Sequence, residues 1–482
     1  AGNAGGAGLD ITDVFSTYLY DGTGADLTIA NGVDLSGEGG MVWLKGRIQY
    51  SDHFVYDTER GVGKNVRTNK TTTQQTRTDD LKAFNSNGFS LGDYGEINTN
   101  YSSGGVGYDY ASWTFRKAPK FFDVVKISIT RDGSNNLTSN NSNATVTGGV
   151  VYVNHNLDSV PGMWFQKSTD YAASWYVRST TFTGFLKLDS DTAKSGSITH
   201  TATSTQAMLD DFGTGTFGVG THEYIIYLFA AGGDGEFGPD ADQDIIKCGV
   251  FTPNTSGEIT VDLGFEPQFL IYKNIQSADP WLMFDTMRGW GISVQNWASL
   301  EPNAISPEVG LSSLQVTSTG FTTGGTAIRR GQLTPPEAGA EVFATAFDAG
   351  STSPTYVSGF VPDMGIQTNT GGYNKRVSSR LTSGRLMEAD NTGAEGSSTS
   401  NYTWDFMNGW NNQTINSTWL SWMWKRAPGF FDVVTYRGID TLGGAIPHNL
   451  GVPPELVIIK ARSTTYDWMV ALPQEGPDGR DY

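Results

Sequence analysis

The sequence offers a single cysteine, Cys248, in 482 residues, so no intrachain disulfide can form and stability must come from packing. Charge is also scarce: Asp, Glu, Lys and Arg make up 17% of the chain, against roughly 25% in ordinary globular proteins. The formal charge is −18, with no long run of Lys or Arg anywhere. Nucleic-acid binding requires a basic face that displaces counterions from phosphates, so that function class is not expected. Long apolar runs are missing too. The most apolar stretch, residues 224–231, has the length of a strand and falls far short of a bilayer-spanning helix. No βα alternation runs through the chain, which argues against a parallel α/β sheet.

What is abundant points one way. Glycine numbers 60 and aromatic residues reach 12%. Glycine serves tight turns, and aromatic side chains suit a pleated, half-buried surface. A disordered chain would carry few aromatics. The length suggests about three to five domains.

The chain repeats itself. Four segments align without a gap: Leu35–Lys45, Leu157–Lys167, Leu263–Lys273 and Leu450–Lys460. Each reads as a tight turn followed by a mostly apolar strand that closes on Lys. A degenerate copy, Ser358–Gly365, fills the long gap between the third and fourth. Eight residues after the Lys stands Trp175, Trp281 or Trp468, with His53 in the first copy. Twelve residues after it, Asp57-Thr-Glu-Arg60-Gly61 matches Asp285-Thr-Met-Arg288-Gly289. Residues 84–92 also match 212–220. Two copies share an exit: Ser112-Trp-Thr-Phe-Arg-Lys-Ala-Pro119 with Phe121-Phe-Asp-Val-Val125, and Ser421-Trp-Met-Trp-Lys-Arg-Ala-Pro428 with Phe430-Phe-Asp-Val-Val434.

These repeats predict an all-β protein of tandem antiparallel β-sandwich, jelly-roll-like modules. The boundaries read as residues 1–118, 119–245, 246–350, a degenerate fourth module at 351–428, and the start of a fifth at 429–482. That fifth copy reaches Tyr482 before the strands that would close its sheet, so the natural chain is expected to continue. Residues 78–84, with Thr78 as cap and Leu81 and Phe84 on one face, are the best candidate for a short helix. The Ser/Asn-rich residues 133–149 read as a solvated loop, and residues 391–401 as a second polar loop.

The opening Asp13–Tyr20, the Leu35–Lys45 strand, the Asp57–Gly61 turn, the Trp–basic pair–Ala-Pro exit and the His155-Asn-Leu157 and His448-Asn-Leu450 segments together resemble a repeat family of tail-fibre-like and other virion structural proteins from marine and cyanobacterial bacteriophages. The resemblance covers most of the chain and is strongest at residues 10–125 and 415–470. It implies a virion component and supplies no catalytic residues.

Candidate chemistry is thin. The Asp57/Arg60 and Asp285/Arg288 pairs are expected to pin a turn by charge-assisted hydrogen bonds, because the second module has Ser179 at the Asp position. The five histidines form no HxH or HExxH spacing, and His155 and His448 are expected to make structural hydrogen bonds. No G-x-S-x-G elbow nominates a nucleophile. The one concentrated acidic loop places Asp234, Glu236, Asp240, Asp242 and Asp244 together as candidate Ca²⁺ ligands. The position-matched tryptophans read as core rather than as a sugar platform.

The expected function is therefore that of a phage virion structural protein outside the host cell: a fibre or appendage subunit that spaces a binding tip and adheres to the host surface. Expected partners are other virion proteins, host cell-surface glycan and further copies of the chain in a homo-oligomer, with a trimer as the working guess. Neither nucleic acid nor membrane insertion is expected, nor is any cofactor beyond the candidate Ca²⁺. The alternatives are a capsid decoration or head-fibre protein and a polysaccharide-degrading tailspike-type enzyme. The enzyme reading is disfavoured, since no spacing of acids selects the carboxylate pair a glycosidase needs.

Overall fold

The computed structural model describes residues 9–472 except 101–107, 210–217, 234, 236, 238–242, 254–259, 291–296, 312–314, 318, 323–325, 330–334, 351–352, 370, 372–374, 383–384, 397–401, 413–417 and 437–445. It is mostly β, built of antiparallel sheet pairs, as the repeats predict.

Module 1 sets the pattern. Its nine strands are β1 Phe15–Asp21, β2 Leu27–Ala30, β3 Gly40–Gly46, β4 Phe54–Asp57, β5 Lys64–Arg67, β6 Gln75–Thr76, β7 Leu81–Asn85, β8 Gly88–Leu91 and β9 Asp109–Arg116. One sheet has the order β1-β9-β3-β4-β5-β6 and the facing sheet β2-β8-β7. Between them lie Ile29, Val42, Leu44, Phe54, Tyr56, Leu81, Phe89 and Leu91. Along β3, Val42 and Leu44 point into this core, which leaves Met41, Trp43 and Lys45 on the opposite face. Yet every residue of β3 is buried. A strand buried on both faces requires a second layer outside the sandwich, and the neighbouring modules supply it.

Module 2 repeats the plan with β10 Phe122–Arg131, β11 Leu137–Ser139, β12 Ala144–Thr147, β13 Val150–Asn154, β14 Pro161–Ser168, β15 Tyr176–Ser179, β16 Leu186–Lys187, β17 Gln206–Leu209 and β18 Gly220–Ala230. Its sheets run β11-β10-β18-β14-β15-β16 and β12-β13-β17. Module 4 has both sheets as well. Strands Phe343–Phe347, Trp419–Trp424, Met364–Asn369, Arg376–Ser379 and Met387–Glu388 form one, in that order, so module 4 begins before the expected boundary at residue 351; Tyr356–Val357, Gly409–Asn412 and Tyr402–Thr403 form the other. Its strand order matches module 1, so its degeneracy is confined to sequence.

Three local expectations are corrected. Residues 81–85 form a strand, not a helix. A bulge between Leu81 and Ala83 absorbs one residue, so Leu81 pairs with Leu91 and Phe84 with Phe89. Both side chains therefore reach one face despite their helix-like spacing of three. The Ser/Asn-rich stretch is not a loop either. Its strands β11 and β12 add an edge to each sheet of module 2, β11 beside β10 and β12 beside β13. Finally, the turn before β3 contains one helical turn, Leu35–Glu38, whose N-cap Asp34 accepts from the backbone N–H of Gly37. In module 2 the strand that pairs with β13 is β17, at residues 206–209; the matched residues 212–217 lie outside the described residues.

By compactness the chain divides into two units. The first comprises Ala1–Phe284, Ser299–Val309 and Thr323–Gly331; the second comprises Asp285–Ala298, Gly310–Thr322 and Gln332–Tyr482. The division runs through module 3.

Candidate functional site: a repeated joint between modules

The Lys that closes each repeat and the Trp eight residues later act together, and they act on the neighbouring module. Within the first unit, Trp175 Nε1 donates to the Arg67 carbonyl at 2.8 Å and Lys167 Nζ to the Thr71 carbonyl at 2.9 Å. One module further on, Trp281 Nε1 donates to the Lys187 carbonyl at 2.8 Å and Lys273 Nζ to the Asp191 carbonyl at 2.9 Å. In each pair the acceptors are four residues apart, and the first is the last residue of a strand, Arg67 of β5 or Lys187 of β16. A main-chain bond completes the joint. The Gln74 N–H donates to the Thr169 carbonyl, and the Lys194 N–H to that of Ile275, each at 3.0 Å.

The same construction links module 3 back to module 1. Lys45 Nζ reaches the Ile305 carbonyl at 3.4 Å, the Ser51 N–H donates to the same oxygen at 3.1 Å, and the Glu308 N–H donates to the Arg47 carbonyl at 2.7 Å. Modules 1, 2 and 3 thus close a ring in which each docks on the one before. At the centre meet Trp43, Met163 and Phe165, and Phe269 and Ile271, from matching repeat positions of three modules; the space left among them is about 10 Å³. That is room for one water at most. Phe115 joins them, with ring centroids 5.7 Å from Phe229 and 6.0 Å from Phe269.

In the second unit the contact between modules 4 and 5 uses the identical set. Trp468 Nε1 donates to the Glu388 carbonyl at 2.9 Å, Lys460 Nζ to the Thr392 carbonyl at 3.3 Å, and the Glu395 N–H to the Arg462 carbonyl at 2.9 Å. A bidentate ion pair is added here: Arg462 to Glu395 at 3.0 and 2.7 Å. Its counterpart in the ring-closing joint is Arg47 to Glu308, at 2.8 and 3.1 Å.

The electrostatics follow from this burial. Desolvation pushes the Lys167 ammonium down to about 8, partly offset by Asp189. Carbonyl oxygens, which offer dipoles rather than full charge, are what hold it. Asp57 and Arg60 meet as expected, with Arg60 Nε 2.6 Å from Asp57 Oδ2 and the Arg60 N–H 2.8 Å from Oδ1. Tyr227 of module 2 donates to the same carboxylate at 2.7 Å, so the turn is also part of a joint. Burial opposes the Arg60 charge, but Asp57 and Tyr227 outweigh it and its pKa is raised. Asp285 and Arg288 repeat the pairing, with the Arg288 N–H 2.8 Å from Asp285 Oδ1.

The exit motif clamps the His-Asn-Leu segment that follows it. In one copy Lys117 lies 3.2 Å from Asp123, and the Asp123 carboxylate accepts from the Asn156 N–H at 2.8 Å. In the other, Arg426 pairs with Asp432, which accepts from the Asn449 N–H at 2.7 Å. The histidines do the structural work expected of them. His155 Nδ1 accepts from the Leu157 N–H and His448 Nδ1 from the Leu450 N–H, both at 3.3 Å. At the Trp position, the buried His53 accepts from Trp43 Nε1 at 3.1 Å.

Of the acidic loop, Asp244 is described: its carboxylate accepts from the Gly233 and Gly235 N–H groups at 2.9 and 3.0 Å. Asp234, Glu236, Asp240 and Asp242 lie outside the described residues. Among the described residues, no group of three or more His, Cys, Asp or Glu is placed to hold a metal ion, and no helix is long and apolar enough to cross a membrane.

Sequence reasoning placed the tryptophans in a core but missed that this core lies between modules. The fixed spacing of Lys and Trp was the available signal. The acceptors gave none, because a carbonyl oxygen is common to every residue. No curated protein and no solved structure matches the chain. Residues 10–341, which span modules 1 to 3 and stop just short of the first strand of module 4, match the family described as Domain of unknown function (DUF7483), and the chain belongs to that family.

Proposed function

We propose that this chain is a structural and adhesive component of a bacteriophage particle, a fibre or appendage subunit that works outside the host cell beside other virion proteins and contacts host-surface glycan. The observation that carries this reading is the joint. Four module contacts reuse one set of bonds from Lys and main chain, three of them with Trp, to dock one sandwich on another. Such construction supports position and shape. The resemblance of the repeats to virion structural proteins supports the same place, and a net charge of −18 suits a subunit present in many copies.

A second reading, a capsid decoration or head-fibre protein, is favoured by one feature: three modules that close a ring add little reach. Immunogold labelling of intact particles tests both. Gold on tail appendages supports the first reading and gold on heads the second. Particles that carry no label, from cells that express the protein, would refute both. Glycan-array binding by the purified chain tests the adhesive part.

A further inference from the structure

We infer that the ring is itself the higher repeat of this chain. Modules 4 and 5 hold the first and second places of another ring, and their outer sheet faces seat a third sandwich of the same repeat, supplied by the same polypeptide. Three features recur with a period of three modules. The Ala-Pro exit with its Phe-Phe-Asp-Val-Val closes modules 1 and 4, whereas modules 2 and 3 carry Gly232-Gly233 and Gly331-Gln332 at the Ala-Pro positions. The His-Asn-Leu segment opens modules 2 and 5, whereas module 3 opens on Val261-Asp262-Leu263. Modules 1 and 4 alone lack the anchor tryptophan. Met364 pairs with Trp424 as Met41 pairs with Phe115, which puts Arg376 in the place of His53. Each of these two side chains binds a partner in its own module: His53 accepts from Trp43, and Arg376 donates to the Tyr402 hydroxyl at 3.0 Å. The first member of a ring has no linked predecessor within it, so an anchor of that kind is not required there.

The contacts and the open faces agree with this period. The 4–5 joint repeats the 1–2 joint bond for bond, in its Trp, its Lys and its main-chain link. The family match at residues 10–341 spans one ring. Met163 and Phe165, and Phe269 and Ile271, are buried at the centre of that ring. The same repeat positions in module 4 are Met364 and Ile366, only half-buried, and in module 5 Leu456 and Ile458, 53% and 56% exposed. Trp422 and Trp424 extend the open face of module 4. Apolar surface of this kind marks an interaction site, and it continues directly from the 4–5 joint. A joint built from the same bonds turns its second module by the same angle, so two such sandwiches leave one gap, bounded by both open faces. Module 3 defines what fills it. That module brings an outward apolar pair, Phe269 and Ile271, and puts Lys273 and Trp281 on the Asp191 and Lys187 carbonyls of the second module. The module 3 of another copy is spent in its own ring, whereas a linked module arrives at high effective concentration. Module 4 has Thr368 in the Lys place, so the closing seam rests on main-chain bonds and the apolar centre.

Intact-mass spectrometry and electron microscopy of the polypeptide purified from cells that express its gene test the inference. The expected mass exceeds 52.0 kDa by at least one module, and the images are expected to show two three-lobed rings. A polypeptide of 52.0 kDa overturns the inference, and so does a longer one with a single ring. Ile366→Glu places a charge in the second centre, where burial penalises it, and should abolish that ring while the first stays closed. Leu456→Glu approaches the same centre from module 5, so either variant reads the contact if the other misfolds. A second ring that survives in a folded variant overturns the inference as well.

Discussion

The joint that closes the ring and the joints along it solve one problem differently. Where the chain runs directly from one module to the next, as from module 1 to 2 and from 2 to 3, the anchor is a fully buried tryptophan, Trp175 or Trp281. Where module 3 meets module 1 across more than two hundred residues, His53 replaces the tryptophan, and the anchor is the Arg47–Glu308 pair, with side chains 8% and 14% exposed. The contact between modules 4 and 5 carries both, a half-buried Trp468 and the Arg462–Glu395 pair. Each joint of the ring holds one strongly desolvated anchor beside a constant frame of main-chain bonds, whereas the 4–5 contact combines two less buried ones. A short linker supplies high effective concentration, so apolar burial suffices there. The seam without a linker has a directional, bidentate contact that also fixes register.

Breaking the buried Asp–Arg pairs should have the largest effect. Asp57→Ala leaves Arg60 buried without its carboxylate and strips Tyr227 of its acceptor. A loss of about 3–5 kcal/mol is expected in chemical denaturation, with Asp285→Ala similar through Arg288. If Asp57→Ala melts like wild type, the turn does not support the joint.

The tryptophan anchors should rank by burial. Trp175→Ala is expected to cost about 3–5 kcal/mol, and Trp468→Ala clearly less, because that ring is half-exposed. Limited proteolysis that cuts between modules 1 and 2 in the Trp175 variant, while wild type resists, would locate the damage. Equal losses at the two sites would show that burial does not set the anchor's strength.

The ion pairs come next. Arg47→Ala should weaken ring closure by about 1.5–3 kcal/mol, the range of hydrogen bonds to charged groups. Arg462→Ala should matter less, since its side chain is 28% exposed. Small-angle scattering separates the two effects: loss of Arg47 should expand the chain through opening of the 3–1 seam. A double-mutant cycle with Glu308 that shows no coupling would contradict the pairing.

The smallest effects are those of pH. Burial raises the pKa of Tyr20, Tyr56 and Tyr227 well above the ordinary value and that of Tyr110 to about 12. Above pH 10 the unfolded chain releases these protons while the folded chain retains them, so stability should fall as pH rises past 10. Lys167 works in the opposite direction between about 8 and its ordinary value, as one group against several. On the acid side, burial lowers the His155 pKa. Its contribution is present above the unfolded value of about 6.5 and fades as pH falls below it. Thermal melts from pH 5 to 11 check both arms, and a flat alkaline arm would contradict the tyrosine burial.

Much of this was legible in the sequence, and the gaps have physical causes. Period-two alternation and gapless repeats gave the sandwiches, and the shared Asp–Arg spacing gave the turn that pairs them. The His-Asn-Leu segments likewise behaved as expected. Residues 78–84 misled because a bulge hides a strand behind helical spacing. The Ser/Asn-rich segment misled because its strands are polar edges, which need no apolar alternation to pair. The ring was hidden for a different reason. Its sign was that both sides of β3 and β14 are apolar, but a short apolar run does not say what lies on its outer side.

A socket made of main-chain oxygens has no side-chain identity to preserve. Arg67, Lys187 and Glu388 present their carbonyls to the incoming tryptophan equally well, though one is an acid and two are bases. Drift across these strands can therefore repaint the outside of a module, its charge included, without loosening the masonry beneath.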